Sequence, residues 1–160
     1  MKKITTFWMM LMAVVLSMGI MSCSDSEDGE NWDTWVMRNM LNSGWSISSV
    51  IVNGEYHELG EEGFDFWFEM NLRANGRKFE ARRFFYKDGV IDKSTEVIKT
   101  GEYVVDGSKK TIEAIDSDGN KFFRMSDIEF GTGTMVTTIT FYDLNQTYKV
   151  VLGRSNFIKF

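Results

Sequence analysis

Between residues 64 and 72 the chain alternates with a period of two. Phe64, Phe66, Phe68, Met70 and Leu72 fall on one face, and Asp65, Glu69 and Asn71 on the other. Successive side chains of a strand point to opposite sides, so this spacing describes a strand with one face in a core and one in water. Trp67 is the exception, large and apolar on the polar face. It is read as meeting a docked element or marking a partner surface.

The same period recurs along the chain. Eight strands are expected, over 45–52, 64–73, 77–86, 96–105, 110–115, 121–129, 134–142 and 147–154. Between them stand Asn53-Gly54, Asn75-Gly76, Asp88-Gly89, Asp106-Gly107, Asp118-Gly119, Gly131-Thr132-Gly133 and the loop 143–146. Turn signals every ~8–12 residues indicate a sandwich or a barrel. Every connection is short enough for an antiparallel neighbour, and no long crossover is available for a Greek key. The expected fold is therefore all-β, an eight-stranded antiparallel up-and-down barrel, because closure removes exposed edges. Ahead of it, 32–41 reads as a short helix, with Asp33 as N-cap and Asn42, Ser43 and Gly44 as the stop. Trp32, Trp35, Val36 and Met40 lie near one face of it. A helix this short is unstable alone and must dock.

The first residues are set aside before the fold is argued. Lys2 and Lys3 precede a nearly unbroken apolar run from Phe7 to Met21, and Ser24, Asp25, Ser26, Glu27, Asp28, Gly29 and Glu30 follow Cys23. The run is about 15 residues, where a bilayer span needs roughly 20. A step from basic to apolar to acidic is that of a cleaved secretory signal, here 1–22. Gly19-Ile20-Met21-Ser22-Cys23 resembles the lipobox of bacterial lipoproteins, in the looser form familiar in Bacteroidetes. The resemblance implies a diacylglyceryl thioether on Cys23 and an acylated amino terminus, with palmitate-type chains that hold the protein to a membrane. Cys23 is the only cysteine, and acylation accounts for a lone exported thiol. An ordinary secreted thiol and an uncleaved anchor are the competing readings. The acidic stretch 23–31 is too polar to pack and reads as a tether. It resembles the signal that sends such lipoproteins to the cell-surface face of the outer membrane; a plain solvated linker is the alternative. The barrel domain is expected over 32–160.

The formal charge is −5, and loss of Lys2 and Lys3 with the leader makes it more negative. That balance argues against nucleic acid, or an anionic lipid surface, as the main partner.

The helix, Gly44-Trp45, Val52-Asn53-Gly54, the Leu72-Arg73-Ala74-Asn75-Gly76 hairpin, and Gly101-Glu102-Tyr103 through Asp106-Gly107 to Thr111-Ile112 together resemble the lipocalin-like lipoproteins of Bacteroidetes, over roughly 32–154. Lipocalins place one residue between glycine and tryptophan, whereas Gly44 and Trp45 are adjacent, so the resemblance is to the broader barrel class.

Few residues suit catalysis. Cys23 is taken by the anchor. His57 is the only histidine and stands among Glu55, Glu58, Glu61 and Glu62, which read as a solvated acidic loop rather than a metal site. Asp65 and Glu69 share the wet face of one strand. Gly131-Thr132-Gly133 lacks the lysine and the following helix of a phosphate loop. No catalytic residue, metal or cofactor is assigned, and a non-enzyme is expected. The more informative residue is Arg83. If Phe79 points inward, so does Arg83, and a buried guanidinium needs a carboxylate or an anionic ligand. The alternative is an outward or rim arginine paired to Glu80 or Asp88; Arg124 and Arg154 are weaker candidates. Phe66, Phe68, Phe79 and Tyr103, with Phe64, Phe122 and Phe141, either line a cavity or fill a dry core. Two functions stay open. One is a binder of a small apolar or amphipathic molecule. The other is a solid barrel that serves an outer-membrane protein partner through its outer face or loops.

Overall fold

The computed structural model describes residues 31–40, 43–61 and 64–155. The expected leader, Cys23 and most of the tether lie outside the described residues. Among the described residues, helix α1 (Trp32–Met40) is followed by nine strands: β1 (Gly44–Val52), β2 (Glu55–Glu58), β3 (Phe66–Arg73), β4 (Lys78–Lys87), β5 (Val90–Asp106), β6 (Thr111–Asp116), β7 (Lys121–Phe130), β8 (Thr134–Phe141) and β9 (Gln146–Ser155). All pairings are antiparallel. β3 to β9 pair in sequence order, and β1 closes the ring by pairing with β3 through Gly44–Ser46 and with β9 along Gly44–Ile51. The result is the closed eight-stranded up-and-down barrel that period and turn chemistry imply.

β2 is an addition. It pairs Glu55–Glu58 with Val52–Ser49, on the same edge of β1 that β3 uses lower down. Residues 55–62 were expected to form an acidic loop. The pattern EYHE carries no buried face, so side chains give no sign of the strand. Backbone pairing across the Asn53-Gly54 turn forms it, with φ of 52° and 85° at those two positions, as a two-residue hairpin requires. β5 also departs from expectation. It begins at Val90 rather than 96 and runs 17 residues. Its first arm pairs with β4 from Lys87↔Val90 to Lys78↔Glu102, and its last with β6 from Gly101↔Asp116. The strand changes partners at Gly101, where the backbones come so close that a Cβ would lie 2.0 Å from the Ile115 carbonyl oxygen.

The core is one aromatic-rich cluster. Phe66, Phe68, Met70 and Leu72 are all buried, as the alternation requires. Phe122 and Phe123 are both buried despite being adjacent. The register between β6 and β7 shifts here, from Ala114↔Phe123 to Ile115↔Lys121, and the extra residue turns both rings inward. Alternation alone admits only one of them.

α1 closes one end of the barrel. Val36 and Met40 are fully buried. The Trp45 indole Nε1 donates to the Met40 carbonyl at 3.2 Å, and the Tyr103 hydroxyl lies 3.6 Å from Met37 Sδ. Trp35 meets Phe130 edge-on at 5.1 Å. Trp67 has a different role from meeting this helix. It stands on the outer face of β3, 5.6 Å from the Phe84 ring on β4, with the Arg82 guanidinium over both.

Candidate functional site

The end opposite α1 gathers the β4–β5, β6–β7 and β8–β9 turns. Arg83 points into the barrel here. Its residue is 2% exposed, and it shares the inner face of β4 with Phe79 and Ala81. The inward reading of the sequence therefore holds, and Glu80 is engaged instead by Arg73 at 2.9 Å. The partner of Arg83 is Asp143, in the β8–β9 turn. Nη1 donates to Oδ1 at 2.9 Å and Nη2 to Oδ2 at 2.6 Å. This is the two-pronged geometry that a planar guanidinium offers a carboxylate. The rings of Phe85, Phe122 and Phe141 stand 5.5–5.6 Å from the guanidinium carbon, within range of a cation–π attraction. Nε is buried, with no hydrogen-bond partner among the described residues. Asp143 itself is 41% exposed at the side chain, so it stands between Arg83 and water.

A second inward cation lies beside it. Lys99 pairs in register with Ala81, whose side chain faces the interior, and so shares that face near its wet end. Its Nζ donates to Asp116 Oδ2 at 2.7 Å. That bond is the main reason the lysine's proton is held more tightly than usual, with the charges of Asp118 and Asp143 adding to it. Asp116 is buried, and its other oxygen accepts from the backbone N–H groups of Asp118 and Asn120, which builds the β6–β7 turn. The barrel is thus asymmetric. One end is plugged by tryptophans and α1; the other holds two cations and two carboxylates above a floor of phenylalanines.

The sequence-derived ligand residues divide between these ends. Phe66 and Phe68 meet Phe141 at 5.4 and 5.0 Å, and Phe79 stacks on Phe122 at 6.4 Å. Phe141 and Phe122 are two of the rings around Arg83, so Phe66, Phe68, Phe79 and Arg83 form one neighbourhood. Tyr103 is at the helix end, where its hydroxyl donates to the Arg73 carbonyl at 3.1 Å. The rings occupy the space between the sheet walls, which is a packed core. An open groove of about 1060 Å³ lies along the β4–β5–β6 corner, lined by Lys78, Phe79, Glu80, Glu102, Tyr103 and Asp116 among others. Arg124 and Arg154 are exposed; Arg154 covers the Trp45 ring at 5.8 Å. His57, on β2 in register with the buried Val50, hydrogen-bonds Glu61 at 3.1 Å and lies 5.0 Å from the Phe64 ring. Among the described residues no group of three or more His, Cys, Asp or Glu is arranged to hold a metal.

Sequence reading missed Asp143 and Lys99. Asp143 lies 60 positions from Arg83 in a segment with only turn character, and nothing local marks it. Lys99 was legible in principle, since it has the parity of Tyr103 and Val105, but lysine on a strand is ordinarily read as solvated.

Depressed carboxyls at both ends of the barrel contribute to the acid stability. Burial works to raise the Asp143 carboxyl, and the Arg83 guanidinium overrides it, so the group stays below its ordinary range. Lys99 and then the Asn120 N–H lower Asp116. Asp106, at the helix-end β5–β6 turn, drops to about 2 through Ser108 and Lys109. A carboxyl depressed on folding stabilises the folded state at pH above its unfolded value and loses that contribution as pH falls through the folded one. The urea midpoint is therefore expected to be nearly level from pH 7 to about 4.5 and to fall steadily below about 4. A midpoint that rose on acidification would contradict these assignments.

No protein-family model, no curated protein and no solved structure matches this chain.

Proposed function

We propose that the protein is an exported lipoprotein, held by lipid on Cys23 at the cell-surface side of an outer membrane, whose barrel binds a small amphipathic molecule at its charged end. The single observation that carries the binding reading is Arg83, a buried guanidinium inside a ring of phenylalanines. A buried ion pair is commonly no better for stability than well-packed apolar residues of similar volume. A barrel selected only to fold would gain nothing from keeping one there. The reading is non-enzymatic, because the one cysteine serves the anchor and the one histidine is engaged by Glu61. The likeness to lipocalin-like lipoproteins of Bacteroidetes, carried by the motifs in 32–154, points the same way.

The filled interior favours a second reading, a solid barrel that serves an outer-membrane protein partner. Native mass spectrometry of the processed protein distinguishes the two. A co-purifying small mass, or uptake of an apolar probe that Arg83→Met abolishes, supports the binder. A bare protein that takes up no probe supports the solid barrel.

The anchor is tested separately. Cys23→Ser is expected to leave the leader uncut or to release the protein from the membrane fraction. Normal processing with unchanged membrane retention would remove the anchor from the proposal.

A further inference from the structure

Among the described residues, the Arg83 side chain makes its hydrogen bonds to Asp143. The guanidinium is 2% exposed and the Asp143 side chain 41%, so taking away that one carboxylate uncovers both Nη groups from the far end of the barrel. The remaining donor, Nε, is buried and has no hydrogen-bond partner among the described residues. Around the opening stand apolar side chains that are only partly covered, namely Phe85, Leu144 and Tyr148, with Phe64 and Leu59 from the β2–β3 connection. Tyr148 meets Phe66 at 4.7 Å. Lys99 adds a second positive charge at the same end.

We infer that Asp143 is a built-in occupant of a carboxylate site, and that the ligand of this barrel is a small apolar molecule carrying one carboxylate, which takes the place of Asp143 on the Arg83 fork. This rests on the binding reading above and names its ligand class. The ligand's two oxygens would replace Oδ1 and Oδ2 one for one, its apolar body would lie against Phe85, Leu144 and Tyr148, and the β8–β9 turn would swing outward with Asp143 hydrated. No charge is left buried and unpaired in either state, so the exchange avoids the large cost of desolvating a lone ion. Asp143 competes as a tethered group, with an effective concentration on the order of millimolar or more. The site is therefore attenuated in the unaltered chain, and a neutral molecule of the same shape gains nothing from the fork.

The test uses the processed lipoprotein in lipid nanodiscs and two probes of matched shape, 4-phenylbutyrate and its neutral amide. Titration calorimetry is run on the unaltered chain, on Asp143→Asn, which keeps one acceptor oxygen for Arg83 but removes the charge, and on Arg83→Met. The carboxylate is expected to bind Asp143→Asn at least ten-fold more tightly than it binds the unaltered chain, with the amide unchanged between them, and Arg83→Met should lose the preference for the carboxylate. In the unaltered chain the Arg83 Nε–H resonance should shift on addition of the carboxylate and not of the amide, which keeps the test decisive if the variants do not fold. Equal binding of both probes, indifferent to residue 143, would overturn this inference and leave a binder without a carboxylate site. Binding of neither probe to any form would remove the binding reading itself, and this inference with it.

Discussion

Asp143→Ala is expected to destabilise the barrel by about 3 kcal/mol, near the low end of the roughly 3–5 kcal/mol found when one partner of a buried ion pair is removed. The cost comes from Arg83. Its guanidinium is enclosed by β4, Phe122 and Phe141, and it would lose both hydrogen bonds of the fork. Asp143 is 41% exposed, so water can enter in its place, which discounts the loss. The paired change Arg83→Met with Asp143→Leu removes both charges and is expected to fall within about 1 kcal/mol of the unaltered chain, since an apolar pair of similar volume is often as good. Urea unfolding of the single and double variants measures this. A single variant as stable as the parent would mean that Arg83 reaches water without Asp143, which would also undo the argument for a shielded carboxylate site.

Gly101→Ala is the second large effect. The added methyl would stand 2.0 Å from the Ile115 carbonyl oxygen and 2.8 Å from the Asp116 Cα. Both are backbone atoms held by the β5–β6 ladder, so no side-chain rotation relieves the contact. The strand must move apart at the point where β5 passes from β4 to β6. A loss of about 3 kcal/mol or more is expected, at or beyond the usual range for overpacking. Gly153→Ala is the matched control, because a methyl there meets nothing within 4 Å and should cost less than about 0.5 kcal/mol, as surface substitutions generally do. Comparable losses at the two glycines would show that the close approach at Gly101 does not limit the fold.

Much of this architecture was written in local patterns. The period of two over residues 64–72 identified the buried face of β3, and Asn53-Gly54 and Asp88-Gly89 located hairpins whose positive φ the structure records. These succeed because backbone geometry at a turn or along a strand depends on only a few adjacent residues. The misses have the opposite character. β2 has no buried face for a pattern to reveal. Phe122 and Phe123 both face inward only because β7 gains a residue against β6, and Trp67 has its partner, Phe84, on the neighbouring strand.

Arg83 marks the boundary between the two. The alternation of β4 by itself determined that Arg83 follows Phe79 to the same face, and elementary electrostatics required that an inward guanidinium meet an anion. It did not determine which anion. Asp143 is 60 residues away in sequence and next to Arg83 only because the barrel closes. Lys99 joins the same end through its register with Ala81. Sequence carries the period of a strand and the chemistry of a turn, since both are local. It does not carry the choice among 23 acidic residues for one buried charge, because that choice is made by closure of the sheet, which no short segment encodes.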